Sequence, residues 1–252
     1  MKMTGNTVLI TGGGSGIGRA LAEAFHALGN KVIISGRRQS ALDEVTSANP
    51  GMVSVVLDAT KAENIRTFAE TLTRDHPDLN VVINNAGIMR NEDITAAPDY
   101  LEIAEETIAT NLLAPIRLTA ALLPHFLKKE NAAVLTVSSG LAFVPMVATP
   151  TYSATKSAIH AYSMALREQL KNTPVEVIEI APPYVQTTLQ GEKQAKDERA
   201  MPLDAFIAEV MDILTNRPDA KEAIVERCKP LRFAAENGNF DQVFGTVNSL
   251  HS

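Results

Sequence analysis

A chain of 252 residues, 45% hydrophobic and 21% charged, has the ordinary proportions of one folded domain, which excludes a disordered or fibrous chain. The net charge of -6, with both signs interspersed, excludes a basic nucleic-acid-binding stripe. No apolar run approaches the roughly 18–20 residues of a membrane span, the opening MKMTGNTVLI leaves no room for a leader peptide, and Cys228 has no cysteine to pair with, so a cytoplasmic protein with no internal disulfide is expected.

In chain order, NTVLITG and KVIISGR read as short buried strands flanking a helical pattern from Gly18 to Leu28 that stops at Gly29. SVVLDA, NVVINNAG, AAVLTVSS and VEVIEIAPP are further apolar, β-branched runs, each separated by a stretch long enough for a helical crossover. This alternation predicts an α/β fold, a doubly wound parallel sheet of Rossmann type in three layers, as a single domain over 1–252. Long helices are predicted at about Glu102–Leu127 and Tyr152–Leu170, both apolar enough to need cover from a second subunit or from a deep groove of the same one. After Thr187 a polar stretch reads as a mobile substrate loop, followed by an amphipathic helix through Leu203, Phe206, Ile207, Val210, Met211 and Leu214; together they span about 188–215. KEAIVERC is a candidate seventh strand.

The first strand runs into TGGGSGIG. Glycines at Gly12, Gly16 and Gly18 allow a tight turn, close approach of backbone to a pyrophosphate, and a helix packed tightly on its strand. The helix N-terminus then presents free N–H groups to phosphate. At the end of the second strand, Gly36 stands where an acidic residue would accept from a ribose 2′-hydroxyl, and Arg37 and Arg38 follow. Guanidinium groups there suit a 2′-phosphate, which favours NADP(H) over NAD(H); the alternative is a pair of solvated loop charges. Asp58 is placed to accept from an adenine amino group or to cap the next helix.

The segment TYSATK puts Tyr152 and Lys156 one helical turn apart on one face. A neighbouring ammonium favours the phenolate, so Lys156 is expected to lower the tyrosine pKa into acid/base range. Alone, such a pair is commonly an exposed tyrosine beside a solvated lysine. Here it follows Ser139, which closes an apolar strand and can polarise a carbonyl, while NNAG closes the strand before and Asn111 lies in an apolar run where a buried amide needs a partner.

With these motifs the chain resembles the short-chain dehydrogenase/reductase superfamily over about Asn6–Thr187, and within it a bacterial subgroup of DltE-like oxidoreductases. The resemblance implies that the turn, with Gly14, Ser15 and Ile17, holds the pyrophosphate and that Asp58 and Ala59 meet the adenine. It also implies that Asn85, Ala86 and Gly87 lie along the cofactor, and that Pro182, Val185 and Thr187 meet its carboxamide. By the same likeness Asn111, Ser139, Tyr152 and Lys156 form a catalytic tetrad: Tyr152 the acid/base, Ser139 the orienter of the substrate oxygen, Lys156 holding the nicotinamide ribose and lowering the tyrosine pKa, and Asn111 holding a relay water. Pro183 departs from the family pattern, which has glycine there.

The expected activity interconverts a carbonyl and a secondary alcohol on a small, largely apolar substrate walled by Met89, Leu141, Phe143, Tyr184 and Leu189, with Pro145 and Met146 nearby. The competing expectation is a non-catalytic dinucleotide-binding redox sensor or interaction module. A homodimer through the two long helices is expected, with a homotetramer as the alternative. His26, His76, His125, His160 and His251 show no ligand spacing and read as surface or helix-packing residues; no metal site is expected, and Cys228 reads as a small core residue.

Overall fold

Along β1 (Thr7–Thr11), Val8 and Ile10 face one side of the sheet and Leu9 the other, and all three are fully buried. Such a strand needs cover on both faces. The computed structural model describes residues 1–249, so His251 lies outside the described residues. Among these, β1 is joined by β2 (Lys31–Gly36), β3 (Val53–Val56), β4 (Leu79–Asn84), β5 (Ala132–Val137), β6 (Val175–Ala181) and β7 (Glu222–Ile224) in one parallel sheet ordered β3-β2-β1-β4-β5-β6-β7. The KEAIVERC strand is therefore present, as the edge strand β7, while β3 stops before Leu57 and Asp58.

Helices α1 (Gly16–Ala27), α2 (Gln39–Ala48) and α8 (Leu203–Asn216) cover the Val8 face through Leu21, Phe25, Leu42, Val45, Phe206 and Val210. Helices α3 (Ala62–Asp75), α5 (Ala114–Phe126) and α6 (Pro150–Leu170) cover the Leu9 face through Ile65, Phe68, Leu122, Phe126, Leu166 and Leu170. Burying each such side chain contributes about 1.5–3 kcal/mol. The remaining helices are α4 (Leu101–Ile108), the short α7 (Glu192–Ala195) and α9 (Lys229–Arg232), and α10 (Phe240–Ser249).

The first long helix, expected from Glu102, starts at Leu101 and is interrupted: α4 passes into α5 through a π-helical turn at Ala109–Leu113, which carries Asn111. Contrary to the expectation of no such run, Leu101–Phe126 is long and apolar enough to cross a membrane by length and composition. Its Leu118, Leu122 and Phe126 are instead packed in the core against the sheet and α3.

The second long helix also differs from expectation, because α6 docks on the sheet through a polar seam. Tyr152, Lys156, His160, Ser163 and Arg167 recur every third or fourth residue and so share one face. Lys156 donates to the Val137 carbonyl (2.8 Å), His160 meets Glu179 (2.8 Å), Ser163 meets Thr136 (2.8 Å), and Arg167 donates to the Val177 (2.9 Å) and Lys221 (2.8 Å) carbonyls.

Candidate active site

The carboxyl ends of β1, β4, β5 and β6 open on one cleft of about 1190 Å³, at the point where the strand order reverses between β1 and β4. That crevice is where open parallel sheets bind ligands. Its floor at one end is the glycine turn, whose residues Gly12, Gly14, Ser15, Gly16, Ile17 and Gly18 all line it. Gly12 has φ +70°, and a Cβ on Gly18 would lie 2.3 Å from the Gly12 carbonyl oxygen and 2.4 Å from Asn85 Nδ2. Only glycine fits such an approach of helix to strand. Ser15 occupies the N-cap of α1 without a side-chain capping bond, and Gly16, Ile17 and Gly18 of the first turn line the cleft, so the helix N-terminus opens on it.

NNAG is tied to this turn. Thr11 Oγ1 accepts from the backbone N–H groups of Asn85 and Ala86, both at 3.0 Å, and Asn85 Nδ2 donates to the Thr11 carbonyl (2.9 Å). Asn85, Ala86 and Gly87 line the cleft. Asn111 sits just under its surface: Oδ1 accepts from the Ile88 N–H (2.9 Å) and Nδ2 donates to the Ile88 carbonyl (2.8 Å). The partner its burial demanded is thus a backbone peptide group. A Cβ on Gly87 would come 3.3 Å from Asn111 Oδ1 and 3.7 Å from Lys156 Nζ, which shows how closely these groups gather.

Ser139, at the end of β5, lies within hydrogen-bonding reach of Tyr152, in the first turn of α6, and its Oγ also accepts from the Leu141 N–H (3.1 Å). Lys156 Nζ stands 5.5 Å from the Tyr152 ring centroid. The expected lowering of the tyrosine pKa is not what this geometry gives. Burial pushes Tyr152 up to about 12, opposed by Ser139, and pushes Lys156 down to about 8, opposed by the charge of Glu179. Desolvation disfavours the charged form of each group.

At the other end, Arg37 and Arg38 line the cleft beside Ala59, and Arg37 Nη1 lies 3.5 Å from Glu106 of α4, whose other oxygen takes Arg90 at 2.9 Å. Asp58 does not cap the next helix, whose N-cap residue is Lys61. Its Oδ1 accepts from the Thr60 N–H (3.1 Å) and hydroxyl (2.7 Å), which holds it below the usual carboxylate range, and its neighbours Leu57, Ala59 and Thr60 line the cleft in its place.

Of the expected substrate walls, Met89, Tyr184 and Leu189 line the cleft and Leu141 and Phe143 do not. Phe143 turns toward the C-terminal segment, edge-on to His160 (4.8 Å between rings) and 4.8 Å from the Arg232 guanidinium. Pro145 and Met146 are likewise off the cleft; Met146 is buried, its N–H bonded to Ser153. Pro182, Pro183, Val185 and Thr187 line the cleft where β6 ends, with Val185 paired to Met201 in an isolated bridge.

The stretch read as a mobile loop contains α7, and Gln194 anchors it: Nε2 donates to the Val185 carbonyl (2.9 Å) and Thr187 Oγ1 (3.3 Å). Asp197 accepts from Tyr184 (3.2 Å) and Arg199 (2.8 Å). Sequence reasoning missed Gln194, Thr110 and Arg90. Arg90, three residues past NNAG, carried a signal; Gln194 in a polar run carried none.

His160 is not a plain packing residue. Ligand atoms of His160, Glu179 and Glu222 lie within 4.8 Å of one another. Arg232 donates twice to Glu222 (2.8 and 3.2 Å) and once to Glu236 (2.9 Å), supplying the positive charge a metal would bring, so we read a charge network and not a ligand set. Cys228 is a buried thiol, pushed up to about 12 by burial, as expected of a core residue.

A dinucleotide fits the cleft. The glycine cradle, the unbonded N-terminus of α1, and two buried hydroxyls without partners, Ser35 Oγ and Thr110 Oγ1, on residues lining the cleft, are what such a ligand would satisfy.

The family model described as short chain dehydrogenase matches residues 6–198. Over 252 residues the chain is 38% identical to a Bacillus subtilis protein named uncharacterized oxidoreductase DltE, covering 99% of each. Among solved structures, a short-chain dehydrogenase from Burkholderia cenocepacia in complex with NADP superposes with a TM-score of 0.80 at 22% identity, covering 98% of this chain and 99% of that one. A Burkholderia phymatum short-chain dehydrogenase/reductase in complex with NAD gives 0.79 at 18% identity, covering 96% of each.

Proposed function

The chain belongs to the short-chain dehydrogenase family, and on that premise we propose that it is an NADP(H)-dependent oxidoreductase that interconverts a carbonyl and a secondary alcohol, with Tyr152 as acid/base. The observation that carries this reading is the gathering of Ser139, Tyr152 and Lys156 on the wall of one cleft that begins at the glycine turn.

Bound nicotinamide would supply or accept the hydride. The glycine turn and the α1 N-terminus would hold the pyrophosphate, and Arg37 and Arg38 would take the 2′-phosphate. Solved relatives carry either NADP or NAD, so the preference for NADP rests on these two arginines and on Gly36 in the acidic residue's place.

Ser139 would orient the substrate oxygen and Tyr152 would give it a proton in reduction, or take one in oxidation. With its pKa pushed up to about 12, Tyr152 carries its proton at neutral pH, the form that reduction uses, and is a weak acid until the bound cofactor and Lys156 assist it. Lys156, as an ammonium, would favour loss of that proton. Met89, Tyr184 and Leu189 offer a small, mainly apolar wall, which suits a substrate with one reactive oxygen. We also propose a homodimer through α6 and the long helix formed by α4, its π-helical turn and α5, on which Met164, Ile108 and Leu113 are exposed.

The test is NADPH consumption against a panel of ketones, aldehydes and diketones, with Tyr152→Phe alongside. Turnover that disappears in the variant supports the reading. Turnover that survives it removes Tyr152 from the mechanism.

A further inference from the structure

We propose that Glu179 is a positioning residue of the active site: the buried counter-charge that keeps the Lys156 ammonium beside Tyr152, with His160 holding its carboxylate in place. The inference rests on Lys156 being a working group of the site, as proposed above.

The placement begins with strand register. Glu179 of β6 pairs with Thr136 of β5, so their side chains share a sheet face, the one under α6. There Thr136 meets Ser163 and Glu179 Oε2 meets His160 Nδ1, each at 2.8 Å. Lys156 precedes His160 by one turn and reaches the carbonyl of Val137, the residue after Thr136. Glu179 thus lies beneath the part of α6 that carries both.

The carboxylate is costly where it stands. Glu179 is 0% exposed, and its Oε1 has no hydrogen-bond partner among the described residues. Docking a helix does not require this, since α5 packs on the same sheet face with Leu118, Leu122 and Phe126. A nearby opposite charge offsets part of that cost, and removing it would leave the other charge buried and uncompensated.

The charged and titratable groups facing this point are Lys156 and His160 of α6, Glu222 of β7, and Cys228, Arg232 and Glu236 of the C-terminal segment. Arg232 is engaged with Glu222 and Glu236, and the Cys228 thiol, pushed up to about 12, stays neutral at neutral pH. Glu179 is left with His160 and Lys156. Among the described residues Lys156 makes no ion pair; its hydrogen bond goes to Val137 and its ammonium stands over the Tyr152 ring, so the field of Glu179 is the charge that offsets its burial.

The full-length chain with ε-13C-labelled lysine would be titrated by NMR, the Lys156 signal assigned by its loss in Lys156→Met. In Glu179→Gln, Lys156 should titrate at lower pH than in wild type, and the basic limb of kcat/KM should move the same way, with a loss of roughly tenfold on that limb. His160→Ala removes the hydrogen bond that holds the carboxylate and keeps its charge, so Lys156 should titrate between the wild-type value and that of Glu179→Gln. A Lys156 titration unmoved by Glu179→Gln, or lowered equally by His160→Ala, overturns the proposal and leaves a purely structural docking contact. Should Glu179→Gln not fold, Glu179→Asp draws the charge back by one methylene: a lower Lys156 titration supports the proposal, and an unchanged one overturns it. The readout is Lys156 itself, so it stands even if no carbonyl in the panel is reduced, and the two readings fail separately.

Discussion

The Lys156 ammonium gives its hydrogen bond to the Val137 carbonyl at 2.8 Å, while the ring of Tyr152 lies 5.5 Å from the same nitrogen. The two groups expected to act on each other are thus neighbours whose ionisation is governed by burial.

A pH dependence follows. Lys156 is pushed from the ordinary 10.5 down to about 8, so between those values the unfolded chain carries one more proton than the folded one, and this group's contribution to stability rises with pH. Activity that needs the ammonium runs the other way. The kcat/KM of the free enzyme should fall as pH rises above about 8, and Lys156→Met should lower it roughly 10²- to 10⁴-fold at neutral pH.

Gly18→Ala should abolish tight cofactor binding. The new Cβ would meet the Gly12 backbone oxygen at 2.3 Å, and that atom belongs to the turn itself and cannot swing aside. Fluorescence titration with NADPH should show a loss of about tenfold or more, on the order of 1.4 kcal/mol, with circular dichroism reporting a folded chain.

Glu106 competes for the arginine assigned to the 2′-phosphate. Glu106→Gln weakens its hold on Arg37 and Arg90 and should tighten NADPH binding a few-fold at low salt, with a smaller gain at high salt. Arg37→Ala should erase the preference for NADPH over NADH. Equal preference in Arg37→Ala and wild type would assign that role elsewhere.

His160 should stabilise the fold most at low pH. Its pKa is raised, chiefly by the hydrogen bond to Glu179, so its contribution is full below the ordinary value of 6.5 and is lost as pH rises through the higher folded value. Thermal melts of His160→Gln against wild type should therefore diverge at acid pH and converge at alkaline pH.

The proposed dimer is tested at its exposed apolar side chains. Met164 is 52% exposed and Ile108 38%, and a charge at either, as in Met164→Glu or Ile108→Glu, should give a monomer by sedimentation without loss of the fold.

Alternation of apolar runs with helical spacers was enough to specify the parallel sheet, because strand and helix periods are local and a strand such as VLI in β1 admits no solvent face. The same local rule put Tyr152 and Lys156 on one side of α6 and the glycines at the start of α1. What the sequence could not hold was decided by packing between distant segments. Leu141 and Phe143 follow Ser139 closely, yet the chain turns after the serine and carries Phe143 to Arg232, far along the sequence. Asp58 Oδ1 is held by Thr60 in a local turn and does not cap the next helix, which starts after Lys61. Glu179 meets His160 because strand register and helix docking bring them face to face, and the sign of the Tyr152 and Lys156 shifts depends on how deeply both are buried, a property of the folded volume that spacing along a chain does not contain.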